Sequence, residues 1–174
     1  MGKKTQNIAI IDYGMGNLHS VSKALQRVSP EAKVLITSDA KIINTADRIV
    51  FPGVGAIGDC MTEIIRLELD SALAAAVRNK PVLAICVGMQ ALMKHSEESG
   101  GVECLGFLSG NVKRFHGEIA EGPRLKVPHM GWNEVYQTKP HALWRGIEQN
   151  SRMYFVHSYY VEVENSALNA GVCN

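Results

Sequence analysis

The sequence lacks paired metal-ligand spacings. Its four cysteines, Cys60, Cys86, Cys104 and Cys173, stand far apart with no Cys-x-x-Cys, which excludes a dense disulfide framework and the common zinc patterns. No metal ion and no cofactor is expected, and isolated cysteines fit a reduced, cytoplasmic setting. Long apolar runs are missing too. The run that follows the basic start, Ile8 to Ile11, is too short for a signal peptide or a membrane span, so neither export nor a membrane partner is expected. Gln6 stands where myristoylation after Gly2 would want Ser or Thr, which sets lipidation aside. An excess of charge is also absent. Eighteen Lys and Arg against seventeen Asp and Glu leave a net +1, too balanced for a nucleic-acid surface held by bulk electrostatics. No repeat or low-complexity linker marks an internal boundary.

What is present fits one globular domain over residues 1–174: 174 residues, 46% hydrophobic and 20% charged, enough to bury a substantial core. Asn7 to Asp12 reads as a buried strand feeding the turn Tyr13-Gly14-Met15-Gly16. Asn17 is placed to cap a helix carrying Leu18, Val21, Leu25 and Val28, with Pro30 just beyond. Val34 to Ile36 and Ile49 to Phe51 read as further strands, Asp59 to Arg78 as one or two helices, Pro81 to Cys86 as a strand, and Val87 to Lys94 as the helix leaving it. That alternation predicts an α/β fold with a mostly parallel sheet covered on both faces. After Gly100 glycine and proline recur, and apolar runs such as Leu105 to Leu108 and Met153 to Val156 predict antiparallel additions at a sheet edge.

Cys86 carries the sharpest chemical signal. A strand runs straight into it, with the small residues Ala84 and Gly88 two positions away on either side. A nucleophile elbow needs that spacing, because the nucleophile occupies a tight turn whose backbone passes close to its neighbours. A helix start at the same point would favour a thiolate. A buried core cysteine ending a strand accounts for the spacing about as well. Cys60, Cys104 and Cys173 lack this context and read as core or surface thiols. Phe51-Pro52-Gly53-Val54-Gly55 is a glycine loop after another strand; its amides can supply an oxyanion donor beside that of Val87, although taken alone the composition is better explained by an ordinary turn.

The elbow and the Pro52 to Gly55 loop resemble class I glutamine amidotransferases, which have a flavodoxin-like fold. More closely, Ile11 to Leu18, Ser96-Glu97-Glu98, Val127 to Asn133 and Tyr154 to Tyr159 resemble the glutaminase subunits of imidazole glycerol phosphate synthase, in histidine biosynthesis. The resemblance implies that Cys86 attacks the amide of L-glutamine, giving a glutamyl thioester and ammonia, with Gly53, Val54 and Val87 forming the oxyanion site. It implies that Gln90, Glu98, His157, Ser158 and Tyr159 hold the amino-acid end of the substrate. It also implies a heterodimer with a (β/α)8-barrel synthase (cyclase) subunit, met by the Tyr13 to Asn17 loop and by Trp132.

Two departures accompany the resemblance. The family usually has glycine at the position of Ala84, and it continues into a Gln-Phe-His-Pro-Glu block whose His and Glu complete a triad with the cysteine. The sequence stops at Asn174, before that block, so the expectation is a domain lacking this C-terminal segment and, with it, a general base. None of His19, His95, His116, His129, His141 and His157 sits in a motif that substitutes. The alternative expectation is therefore a catalytically inactive subunit that docks on the synthase and regulates or stabilises it.

Overall fold

The computed structural model describes residues 5–116 and 126–173; the basic start Met1–Lys4 and the terminal Asn174 read above lie outside the described residues. Strands β1 (Asn7–Ile11), β2 (Lys33–Thr37), β3 (Arg48–Gly53) and β4 (Val82–Cys86) form a parallel sheet in the order β2-β1-β3-β4. Parallel neighbours need crossovers. Helix α1 (Leu18–Val28) links β1 to β2, α2 (Ala40–Thr45) links β2 to β3, and the pair α3 (Ile57–Arg66) and α4 (Leu69–Asn79) links β3 to β4. Asn17 caps α1 as its position predicted, its side-chain oxygen accepting from the Ser20 amide at 3.2 Å.

The strands are apolar at consecutive positions because both faces are covered. Ile8, Ile10 and Val50 pack against Leu18, Val21 and Leu25 of α1. On the other face Ala9, Ile11, Ile49 and Phe51 join Ile43, Ile57, Ile64, Leu69 and Leu73 of α2, α3 and α4. Each such aliphatic side chain taken fully out of water contributes about 1.5–3 kcal/mol.

The second half differs from the sequence expectation in two ways. The helix after Cys86 does not run to Lys94: α5 (Val87–Gln90) is a single turn. Beyond it the backbone of residues 91–94 turns to long-range partners, accepting at Ala91, Leu92, Met93 and Lys94 from the amides of Leu105, Leu108, Gly106 and Cys104. Those bonds replace a helical ladder, and they hold the Leu105 to Leu108 run as irregular chain rather than strand.

The additions also do not extend the parallel sheet. Strands β5 (His95–Ser96), β6 (Val102–Glu103), β7 (Gly110–Arg114) and β11 (Tyr159–Val163) form their own sheet in the order β11-β7-β5-β6, in which β5 and β7 are parallel. Two further sheets are antiparallel pairs, β8 (His129–Glu134) with β10 (Arg152–His157) and β9 (Tyr136–Gln137) with β12 (Gly171–Val172). The outer edge of β4 has no strand partner among the described residues, and Leu83 and Ile85 on it are 42% and 41% exposed.

Lys80, between α4 and β4, ties the crossovers together. Its ammonium donates to the carbonyls of Ile43, Asn44 and Ala46 at 2.9, 2.6 and 2.8 Å, meeting the unpaired carbonyl end of α2. A Lys80→Met variant keeps the stem but leaves those carbonyls without the ammonium. It is expected to lose about 1.5–3 kcal/mol, read as a lower midpoint in urea unfolding with an unchanged slope.

Candidate active site

Cys86 ends β4 and starts α5, and its backbone carries φ 53° and ψ −119°. A cysteine gains nothing from that conformation, which costs of order 1–3 kcal/mol and persists only where the surroundings impose it. The imposition is visible at Gly88, where an added Cβ would stand 2.1 Å from the Phe51 carbonyl oxygen. The turn therefore packs directly on β3, and the predicted small residue two positions past Cys86 is required by that approach. Val87, Gly88 and Gln90 are buried while Cys86 stays exposed, so the thiol is presented above a fixed base. Because α5 is one turn long, what it brings to the thiol is free amides and little macrodipole.

The glycine loop lies beside this turn, since β3 and β4 pair Gly53 with Cys86. Gly53 is confined on two sides: a Cβ there would meet the Tyr13 hydroxyl at 2.3 Å and the Gly88 nitrogen at 2.6 Å. Val54 is exposed, and Gly55 takes φ +89°, a region that favours glycine. Two side chains support the loop from the core: Cys60, to which the sequence assigned no role, and Tyr13, which was expected in a loop facing a partner but is fully buried. Tyr13 donates its hydroxyl proton to the Pro52 carbonyl at 2.9 Å, and the Cys60 thiol donates to the Val54 carbonyl at 3.5 Å. Burial first, then the neighbouring Cys60, pushes the Tyr13 phenol up. Burial likewise raises the thiols of Cys60 and Cys173, and lifts Cys104 to about 11.

The residues expected to hold the amino-acid end of a substrate gather through β7. Because β5 runs parallel to β7 and β11 antiparallel to it, the end of β5 and the start of β11 share one end of that sheet. Glu97 and Glu98 follow β5, while Ser158 precedes β11 and Tyr159 opens it. The two acids then divide. Glu97 pairs with Lys113 at 2.8 Å and accepts from the Arg114 amide at 2.9 Å, which holds its carboxyl below the usual range and ties β5 to β7. Glu98 accepts from the Ile57 amide at 2.9 Å, linking this end of the sheet to the first turn of α3, just after the glycine loop.

Gln90 is buried on α5, four residues past Cys86. His157 has both ring nitrogens engaged, Nδ1 with the Tyr159 carbonyl at 2.9 Å and Nε2 with His129 at 3.2 Å. The first contact makes Nδ1 the donor, so Nε2 accepts from the His129 ring. That arrangement is a satisfied strand histidine, whose imidazole fixes the bend at Ser158 where the chain leaves β10 for β11. The Ser158 carbonyl accepts from the Phe115 amide at 3.0 Å. Among the described residues no side chain hydrogen-bonds to the Cys86 thiol.

The two residues expected at a partner interface sit apart in the chain. Asn17 is exposed at the start of α1, its side chain already used as the cap. Trp132 is 61% exposed on β8, edge-on to Tyr154 of β10 with ring centroids 5.5 Å apart. The strands alternate, so Met130, Trp132, Tyr154 and Val156 form one exposed face, with Glu134 and Arg152 at its end. Together they make a contiguous exposed apolar surface.

Comparison with known proteins places these elements. The family model for class-I glutamine amidotransferases matches residues 9–173. The chain is 59% identical over 157 residues to the imidazole glycerol phosphate synthase subunit HisH of Pseudomonas putida, covering 90% of this chain and 74% of that protein. It is 56% identical over 171 residues to the HisH subunit of Dechloromonas aromatica, covering 97% and 79%. Among solved structures, a glutamine amidotransferase superposes with a TM-score of 0.60 at 14% identity, covering 86% of this chain and 70% of that one. Another glutamine amidotransferase, from Thermotoga maritima, gives 0.58 at 12%, covering 92% and 64%, and both likenesses speak to the fold alone. The chain belongs to the class-I glutamine amidotransferase family, within the group of HisH subunits of imidazole glycerol phosphate synthase.

Proposed function

We propose that the chain hydrolyses L-glutamine at Cys86 and passes the ammonia to a (β/α)8-barrel synthase subunit, with which it forms a heterodimer making imidazole glycerol phosphate in histidine biosynthesis. The observation that carries this reading is the elbow itself, an exposed cysteine at φ 53° whose turn is pressed onto β3 by Gly88. The alternative of a catalytically inactive docking or regulatory subunit has no support among the relatives.

In the first step Cys86 Sγ attacks the carbonyl carbon of the glutamine carboxamide. The carbon–sulfur bond forms, the oxygen takes up negative charge, and the amides of Gly53, Val54 and Val87 stabilise it. The carbon–nitrogen bond then breaks, the nitrogen takes a proton and leaves as ammonia, and a glutamyl thioester remains. Water attacks the thioester and releases glutamate. Glu98 suits the substrate ammonium, while backbone groups at His157, Ser158 and Tyr159, with the Gln90 amide, suit its carboxylate end. A general base is still required. The open edge of β4, with Leu83 and Ile85 exposed close to Cys86 on the same strand, offers a strand carrying that base a place to dock.

Ammonia released into neutral water is mostly protonated and no longer nucleophilic, so a partner that receives it directly is chemically useful. The Trp132–Tyr154 face supports such a partner, because a large aromatic beside a second one is the usual anchor of an interface. Docking would also act on the glycine loop, shifting its population toward the arrangement that offers amides to the oxyanion. A cytoplasmic setting suits this chemistry, and no helix among the described residues is long and apolar enough to cross a membrane.

Two experiments test the reading. A glutamine-mimicking electrophile at pH 8 is expected to label Cys86 before the other cysteines, because burial raises the thiols of Cys60, Cys104 and Cys173; faster labelling of Cys60 or Cys104, read by peptide mass, would reject the elbow. Trp132→Ala is expected to weaken binding to the synthase subunit by about 2 kcal/mol or more in titration calorimetry, and an unchanged dissociation constant removes Trp132 from the interface.

A further inference from the structure

A peptide unit is a rigid trans plane, so whatever holds its carbonyl also aims its N–H in the opposite direction. Three consecutive planes run through the glycine loop: Pro52 C=O with Gly53 N–H, Gly53 C=O with Val54 N–H, and Val54 C=O with Gly55 N–H. The first is held by Tyr13, whose hydroxyl donates to the Pro52 carbonyl at 2.9 Å. The Gly53 N–H is therefore aimed away from the Tyr13 hydroxyl, in a loop whose Gly53 pairs with Cys86 of β4. The third plane is held by Cys60 from α3, whose thiol donates to the Val54 carbonyl. Both side chains are fully buried, and they influence one another's ionisation, so they form one continuous support under the loop. Tyr13 is fixed in turn by its ring against Phe51, with centroids 5.5 Å apart.

We propose that Tyr13 and Cys60 are positioning residues for glutamine hydrolysis: they fix the peptide planes on both sides of the Gly53–Val54 peptide and leave that one peptide to set the oxyanion site. The proposal rests on the reading that Gly53 and Val54 supply amides to the oxyanion. A loop free at all three planes would lose the alignment of its donors each time it moved. A loop held at both flanks confines movement to the middle plane, so a single rotation decides whether the Val54 amide faces the reacting carbonyl. Neither side chain touches the substrate; each acts through the carbonyl it holds.

The test uses the chain assembled with its synthase subunit. Tyr13→Phe removes the hydroxyl and keeps the ring, and it is expected to lower glutaminase kcat roughly 10-fold, less than deletion of a donor outright, with the KM for glutamine within about twofold. Alkylation of Cys86 by iodoacetamide develops no oxyanion and is expected to keep the wild-type rate. Cys60→Ser retains a donor for the Val54 carbonyl and is expected to keep turnover, whereas Cys60→Ala is expected to lose it to a similar degree as Tyr13→Phe. Wild-type kcat in Tyr13→Phe, or an equal fall in kcat and alkylation rate, overturns the proposal. If Tyr13→Phe fails to fold, the Cys60 pair decides: serine and alanine variants that behave alike overturn it, and rescue by serine alone supports it. Loss of all turnover in Cys86→Ala establishes the nucleophile independently, so a failed positioning role leaves the hydrolytic reading standing.

Discussion

The carbonyl oxygen of Phe51 governs how the chain turns after Cys86. Gly88 comes so close to it that no Cβ fits, and the turn consequently lies flat on β3 instead of continuing outward as a regular helix. The left-handed backbone at Cys86 is the compensation for that contact, since the chain must reverse within one residue of leaving β4. The strain is supported by burial of Val87, Gly88 and the Ala91–Met93 segment, whose carbonyls are taken by residues 105–108. Thiol exposure, the short α5 and the nearness of the glycine loop all follow from this single approach of two strands' ends.

The second sheet serves the first through β7. It brings Glu98 and the start of β11 to one end, although these segments are 60 residues apart in sequence, from Glu98 to Ser158. The two adjacent acids illustrate how little sequence proximity says about role. Glu97 is satisfied by Lys113 and the Arg114 amide and acts as a strut. Glu98 turns the other way, toward the first turn of α3, and so couples the sheet to the loop that follows β3. His157 is likewise a strut: with both nitrogens engaged it sets the bend at Ser158.

Two of the surfaces exposed among the described residues differ in kind. Along β4 the exposed features are backbone pairing groups with Leu83 and Ile85 beside them, which suits a further strand. On β8 and β10 they are side chains, Met130, Trp132, Tyr154 and Val156, presented by alternation on strands already paired with each other. A strand cannot add to that face, whereas another folded surface can pack on it. The two places thus offer different physical interactions, backbone pairing at one and side-chain packing at the other.

Much of the first half was legible because its signals are local. Consecutive apolar residues mark strands buried on both faces, Asn17 caps the helix its position predicts, and small residues two away from Cys86 announce the elbow. The motif residues themselves were equally readable, and the resemblance they carried agrees with the family found by comparison. What failed was wherever long-range backbone bonds outweighed local pattern. Residues 91–94 have a helical composition but pair with 104–108, and the later strands assemble into sheets of their own instead of extending the parallel one. The supporting residues were hidden for the same reason. Nothing in the spacing of Tyr13, Pro52, Val54 and Cys60 reveals that a phenol and a thiol hold two carbonyls of one loop, because the sheet order and the α3 crossover bring them together. Periodicity and turn chemistry, acting over a few positions, were enough to specify the elements of the first half and the strand-to-helix elbow at Cys86. Which groups aim and support that residue was settled by folding, because those contacts depend on strand order and register across the whole chain.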